Sequence, residues 1–222
     1  MSLKKLAAVA VLSSASFSAF AADDMSAGKD FYAQLNAGYA FGIKSSTKGA
    51  EGSDYSSEFG KTGKSYSFGL EGGAKVNEFL TVGLGFDYLP KFKAEPNYTN
   101  GWSGDKMKVK TMAAFFNVFV NAGEFNGFTP YLVLGAGVAK NKSSDFTVNY
   151  AGKSGTVSGA SKTNFAYKAG LGVKFAASED FDVDVRYQYV DYGKFKTATY
   201  DDTTPSGKLR ANQVMLGVAY KF

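Results

Sequence analysis

Apolar and polar residues alternate with a period of two along nearly all of the chain, and no other feature of the sequence restricts the fold as much. Such a pattern sends successive side chains to opposite faces of an extended strand. Between 181 and 189, Phe181, Val183, Val185, Tyr187 and Tyr189 alternate with Asp182, Asp184, Arg186 and Gln188. At the C-terminus, Val214, Leu216, Val218, Tyr220 and Phe222 alternate with Gln213, Met215, Gly217, Ala219 and Lys221. Further upstream, Phe165 to Phe175 set Lys168 and Lys174 against a ring-rich face, and Tyr66, Phe68 and Leu70 oppose Gly69, Glu71 and Lys75. Gln34, Asn36 and Gly38 stand against Leu35, Ala37 and Tyr39, while Gly83, Gly85 and Asp87 stand against Leu84, Phe86 and Tyr88. Two segments are less regular: Phe115, Phe116 and Phe119 put rings on both faces, and Tyr131 to Val138 is apolar throughout. The pattern predicts eight strands, near 30–43, 64–76, 79–92, 107–120, 128–141, 163–176, 181–194 and 209–222.

The connections carry as much information as the strands. Those near Asn77-Glu78, 121–127 and Ala177 to Asp180 are short, whereas those near 44–63, 93–106, 142–162 and 195–208 are long and polar. Long and short alternate without exception. This is the order of an up-and-down transmembrane barrel, with short turns on the periplasmic side and long loops outside. The expected fold is therefore all-β, a closed eight-stranded antiparallel up-and-down transmembrane β-barrel with both termini in the periplasm.

The N-terminus has the layout of an export signal. Lys4 and Lys5 precede an apolar stretch from Leu6 to Phe20, and Ala19-Phe20-Ala21 is a small-x-small cleavage site. The alternative, a first transmembrane helix, is disfavoured by the shortness of the run and its serines. The expected organisation is a signal at 1–21, cut after Ala21, and one barrel domain at 22–222. The formal charge of +5 falls to +3 without Lys4 and Lys5, and the basic residues are dispersed. That balance does not point to nucleic acid. The chain has no Cys and no His, which removes disulfides, thiolate metal sites and the commonest general base. No cofactor, metal or catalytic activity is expected.

Eight-stranded barrels also occur in water, with the apolar face inward. The content of the two faces decides between them. One face carries nearly all the large rings; the other carries Gly with Glu71, Lys75, Lys168, Lys174, Asp182, Asp184, Arg186 and Lys221. An eight-stranded interior is only wide enough for side chains to fill it. Glycine with a few charges fits that volume, and rings outside match lipid and the interfacial girdles. The expected location is the outer membrane of a Gram-negative bacterium.

The closing segment Val214-Met215-Leu216-Gly217-Val218-Ala219-Tyr220-Lys221-Phe222 resembles the last strand of the opacity-type, OmpA-like outer-membrane β-barrel family of porin-like surface antigens. Phe165 to Lys174 and Phe181 to Gly193 resemble its sixth and seventh strands. The resemblance implies that Val218, Tyr220 and Phe222 form the signature read by the barrel-assembly machinery. It also implies a surface-exposed protein, often an adhesin or antigen; because the chain ends at the barrel, the peptidoglycan-binding domain of full OmpA-type proteins is expected to be missing.

The inward charges Glu71, Lys75, Lys168, Lys174, Asp182, Asp184 and Arg186 form either a salt-bridged plug or the lining of a narrow passage; buried ions need partners, and both signs are present. Lysines flanking the membrane zone, Lys91, Lys93, Lys108 and Lys110, are candidate contacts for lipopolysaccharide phosphates, or simply a solvated loop surface. Tyr55, Tyr66, Tyr98, Trp102, Tyr150, Tyr192 and Tyr200 either anchor a host-surface ligand or form the outer aromatic girdle. Asp201-Asp202 is a weak candidate for Ca²⁺, more simply a solvated pair. The leading function is a monomeric outer-membrane surface protein with structural and adhesive roles. The alternatives are a narrow porin-like channel for small or hydrophobic solutes and a soluble periplasmic barrel holding an apolar ligand.

Overall fold

The computed structural model describes residues 30–46, 58–94, 103–104, 107–150, 153–196 and 206–222. The expected signal at 1–21 lies outside them, as do Tyr55, Tyr98, Trp102, Tyr200, Asp201 and Asp202. The strands are β1 (Phe31–Ser46), β2 (Glu58–Lys75), β3 (Leu80–Ala94), β4 (Ser103–Gly104), β5 (Met107–Asn121) and β6 (Phe128–Ser143). They continue as β7 (Phe146–Tyr150), β8 (Lys153–Val157), β9 (Ser161–Ala176), β10 (Phe181–Lys196) and β11 (Ser206–Lys221).

Eight of them close a barrel in the order β1-β11-β10-β9-β6-β5-β3-β2, every pair antiparallel. Closure pairs the first stave with the last, Leu35 opposite Val218 and Tyr39 opposite Val214, so the sheet has no open edge. Each short turn has a local cause. Asn126 and Gly127 both take positive φ, 51° and 82°, between the mutually bonded Phe125 and Phe128; Asn-Gly is the pair that tolerates this primed hairpin turn. At 177–181 the Ser178 hydroxyl accepts from the amides of Asp180 and Phe181. At 77–79 the Asn77 side chain accepts from the Phe79 amide. These three turns and both ends of the barrel chain, Asp30 and Phe222, lie at one end.

The alternation settles every stave, including the two that were irregular in sequence. On β6, Tyr131, Val133, Gly135 and Ala139 point inward, while Leu132, Leu134, Ala136 and Val138 point out. On β5, Phe115 and Phe119 are inside and Phe116 outside. The outward apolar belt on β6 runs from Phe128 to Val138, about 25 Å along the axis at ~3.3 Å per residue and a tilt near 40°. Its exposed residues carry no charge between Leu132 and Val138.

Two features depart from the sequence expectation. The strands reach further into the long connections, β2 starting at Glu58 and β11 at Ser206. Within those connections, β4, β7 and β8 form a separate three-stranded sheet in the order β4-β7-β8. Ser103 and Gly104 pair with Asn149 and Val148, so the connections at 95–106 and 144–160 are joined. The sequence expectation has loops in both places: β4 is two residues long, β7 and β8 only five each, too short to stand out from their polar surroundings, and β4 is paired by a strand more than forty positions away.

Candidate functional site

The lumen divides into two halves. At the short-turn end it is ionic. Glu71 on β2 accepts from Arg186 Nη1 at 3.2 Å, Asn117 Nδ2 at 2.9 Å and the Tyr32 hydroxyl at 3.1 Å. Asp184 accepts from Arg186 Nη2 at 3.3 Å, Gln34 Nε2 at 3.2 Å and the Tyr131 hydroxyl. Arg186 Nε donates to the Tyr131 oxygen at 2.9 Å, so the guanidinium has a partner on each side. Lys168 Nζ lies 3.4 Å from Asp87 and 4.6 Å from the centre of the Phe115 ring. Lys174 Nζ sits among three rings, 5.1 Å from Phe119, 5.3 Å from Tyr131 and 5.5 Å from Tyr32.

Three carboxylates (Glu71, Asp87 and Asp184) thus share this half with three cations (Lys168, Lys174 and Arg186). The set is neutral, as a water-poor enclosure requires, because an unmatched buried charge costs several kcal/mol. Asp182 pairs with Lys221 at 2.7 Å at the rim. Lys75 does not join the cluster. It is the last residue of β2, past the end of the enclosed lumen, and is exposed. Asp87 and Lys221 were visible on the inward face in sequence, but pairing across the lumen was needed to bring them to Lys168 and Asp182.

The long-loop half is apolar. Leu89, Val109, Phe115, Val190, Tyr192, Phe195 and Leu209 pack together with Ala40, Ala113, Ala139, Ala166 and Ala211. Polar groups within it bond to one another: Thr111 donates to Asn141, whose amide donates to the Tyr192 carbonyl. Gln213 links the halves, accepting from Gln188 at 2.6 Å and donating to the Tyr192 hydroxyl at 2.8 Å. Tyr192 is fully buried, so it belongs neither to an external girdle nor to a ligand-facing surface.

Rings inside the barrel depart from the sequence expectation, which placed the large rings outside for want of room. Cross-strand glycines provide that room. Tyr32 faces Gly73, Tyr131 and Arg186 face Gly172, Phe115 faces Gly85 and Gly137, and Lys168 faces Gly135. A methyl at Gly172 would overlap the Tyr131 ring, and one at Gly135 would overlap the Lys168 chain. The abundant inward glycine is therefore filled by neighbouring side chains.

On the outer wall, Val218, Tyr220 and Phe222 point outward. Their rings continue a chain around the short-turn end: Tyr220 lies 6.0 Å from Phe222 and 5.2 Å from Phe181, and Phe222 lies 6.2 Å from Phe31. At the long-loop end, Lys108 and Lys110 on β5 and Lys140 and Lys142 on β6 are exposed on the outer wall. The side chains of Lys91 and Lys93 lie outside the description; the backbone of Lys93 pairs with that of Lys108. No group of three or more metal-ligating side chains occurs among the described residues.

Comparison with known proteins agrees with this architecture. The family model of the outer membrane protein beta-barrel domain matches residues 7–222. The outer membrane protein PagN of Salmonella typhimurium is 31% identical over 127 residues, 53% of this chain and 52% of PagN. The chain thus spans about half the length of that curated relative. The protein named "Putative adhesin RC1281" of Rickettsia conorii is 29% identical over 179 residues, 76% of this chain and 71% of that protein. The crystal structure of the outer membrane protein OprG from Pseudomonas aeruginosa superposes with a TM-score of 0.54 at 15% identity, over 90% of this chain and 99% of OprG, a likeness of fold.

Proposed function

The chain belongs to the family of outer-membrane proteins built on a β-barrel domain, and from that premise we propose that it is a surface protein whose long external loops carry an adhesive role while the barrel serves as a closed support. Its location is the outer membrane, with the short turns and both ends of the barrel chain in the periplasm and the β4-β7-β8 sheet outside. The observation that carries the reading is the filled lumen. A neutral ionic half and an apolar half close it in series, which leaves the outer surface for function.

The adhesive part is supported by the name of the Rickettsia relative and by the β4-β7-β8 sheet, which gives two of the long loops a common framework. The protein works without catalysis on this reading, since the chain has no His or Cys to supply the usual acid, base or nucleophile. It acts as a monomer, is cut after Ala21, and is delivered by the barrel-assembly machinery through Val218, Tyr220 and Phe222. The same packing gives no support to a narrow channel, the alternative reading of the sequence.

The test is attachment to cultured host cells by a non-adherent Gram-negative strain displaying the protein. Deletion of residues 145–160 should abolish the attachment that the intact protein confers, while the barrel keeps its heat-modifiable gel mobility. Attachment at the intact level would remove the third loop as the binding site. Because β4 pairs with β7, deletion of 95–102 should weaken attachment as well.

A further inference from the structure

We propose that the outer wall of β5 and β6, at the long-loop end, is a lysine ladder that binds the phosphates of outer-leaflet lipopolysaccharide on one side of the barrel. Three observations lead there, independently of what the loops bind.

The first is register. Lys110 lies directly opposite Lys142, and Lys140 lies opposite Met112, one outward step below. Lys108 is one outward step above Lys110 and pairs with Lys93 across β3 and β5. Directly opposed like charges oppose strand pairing, so this wall gains from an external anion. Lys110 also lies 5.7 Å from the centre of the Tyr88 ring, which keeps its stem along the barrel.

The second is the lack of an internal counter-ion. The ion pairs among the described residues engage Lys168, Arg186, Arg210 and Lys221; none engages Lys108, Lys110, Lys140 or Lys142. The opposite flank differs. There Lys194 faces Lys208, but the neighbouring Arg210 is bound to Asp191 at 2.9 Å, so a carboxylate already sits among the cations.

The third is height and direction. Immediately below the ladder the outward residues are Ala114, Phe116, Val138, Ala136 and Leu134, all lipid-facing. The ammonium groups stand at the top of a belt about 25 Å tall, the height of the hydrocarbon zone in such barrels. All four stand at outward positions of the barrel wall, at the level where outer-leaflet headgroups lie. Phosphate is the anion at that level, and ammonium–phosphate contacts are charge-assisted. Relative to the sequence expectation, Lys91 falls within the irregularity between Leu89 and Phe92, and Lys140 and Lys142 join Lys108 and Lys110.

The experiment is a titration of the refolded, fluorophore-labelled barrel in zwitterionic micelles with diphosphoryl lipid A. The K108Q/K110Q/K140Q/K142Q variant should bind at least about tenfold more weakly than the parent, from roughly four lost phosphate-facing charges. The parent should bind dephosphorylated lipid A no better than this variant binds the diphosphoryl form. K194Q/K208Q should lose less than about threefold on the same reasoning. Folding is checked by heat-modifiable mobility; if the fourfold variant does not fold, K110Q/K142Q replaces it, with a loss of at least about threefold expected. Parent-like affinity in the ladder variant, indifference to the phosphates, or an equal loss in K194Q/K208Q would overturn the proposal.

Discussion

The two halves of the lumen fill the same width of barrel in opposite ways. At the periplasmic end, long polar side chains lie across the lumen over glycines: Tyr131 and Arg186 over Gly172, Lys168 over Gly135, Tyr32 over Gly73. At the outer end, branched and aromatic side chains meet alanines: Ala40, Ala113, Ala139, Ala166 and Ala211 surround Leu89, Tyr192 and Phe195. The choice of small residue follows from the chemistry. A guanidinium or carboxylate must reach a partner of defined geometry, and a bare backbone lets its stem lie flat. An apolar cluster gains from every methyl that touches another, so alanine adds contact where glycine would leave a gap, although the broad Phe115 ring there is met by glycines, Gly85 and Gly137. The ionic half is held by pairs of defined geometry, and the apolar half by close packing.

That contrast can be broken from either side. The largest effect should come from Arg186→Met, which leaves Glu71 and Asp184 buried without their shared cation. A loss of about 3–5 kcal/mol is expected for a buried pair broken on one side, read as a lower urea midpoint for the barrel in lipid vesicles. A shift no larger than that of a lipid-facing substitution such as Val185→Ala would mean that water already solvates the cluster. Leu89→Ala in the other half should cost about 2–4 kcal/mol, a transfer loss plus the cavity left in a fully enclosed site. It should also be additive with Arg186→Met, since Leu89 takes no part in the Arg186 network; strong coupling would merge the halves into one unit.

Smaller still is Gly172→Ala, whose methyl must displace the Tyr131 ring, at about 1–3 kcal/mol. Pairing it with Tyr131→Phe would show whether the ring or its bond to Asp184 carries the strain. The subtlest readout is electrical. If the apolar half seals on its own, Arg186→Ala should give no discrete conductance steps in a planar bilayer. Steps in that variant, absent from the parent, would move the seal to the ionic half.

Much of this barrel is legible before any coordinates. The period of two assigns the faces of β1, β2, β3, β9, β10 and β11, because a sheet with one side in hydrocarbon cannot let a residue change sides without exposing a charge or burying a void. The alternation of short and long connections fixes strand number and the common side of the ends. It does not assign β6, where Tyr131 to Val138 is apolar on both faces: its inward residues meet other rings and aliphatics, its outward ones meet lipid, and hydropathy is the same for both.

Other features existed only once the sheet closed. Glu71 and Arg186 stand 115 positions apart and meet across the lumen because β2 and β10 curve toward a common axis. Which cation takes which carboxylate depends on stagger between staves, a property of the closed cylinder and of no single strand. The same applies to Lys75, whose parity is inward but whose position at the end of β2 leaves it exposed, and to the β4-β7-β8 sheet, whose pairing is set by loops brought side by side. The sequence determined the alternation because each residue's face is a local consequence of pleat geometry. Tertiary structure decided the partners because a charge in an enclosed lumen is satisfied by whatever the opposite wall presents at its height.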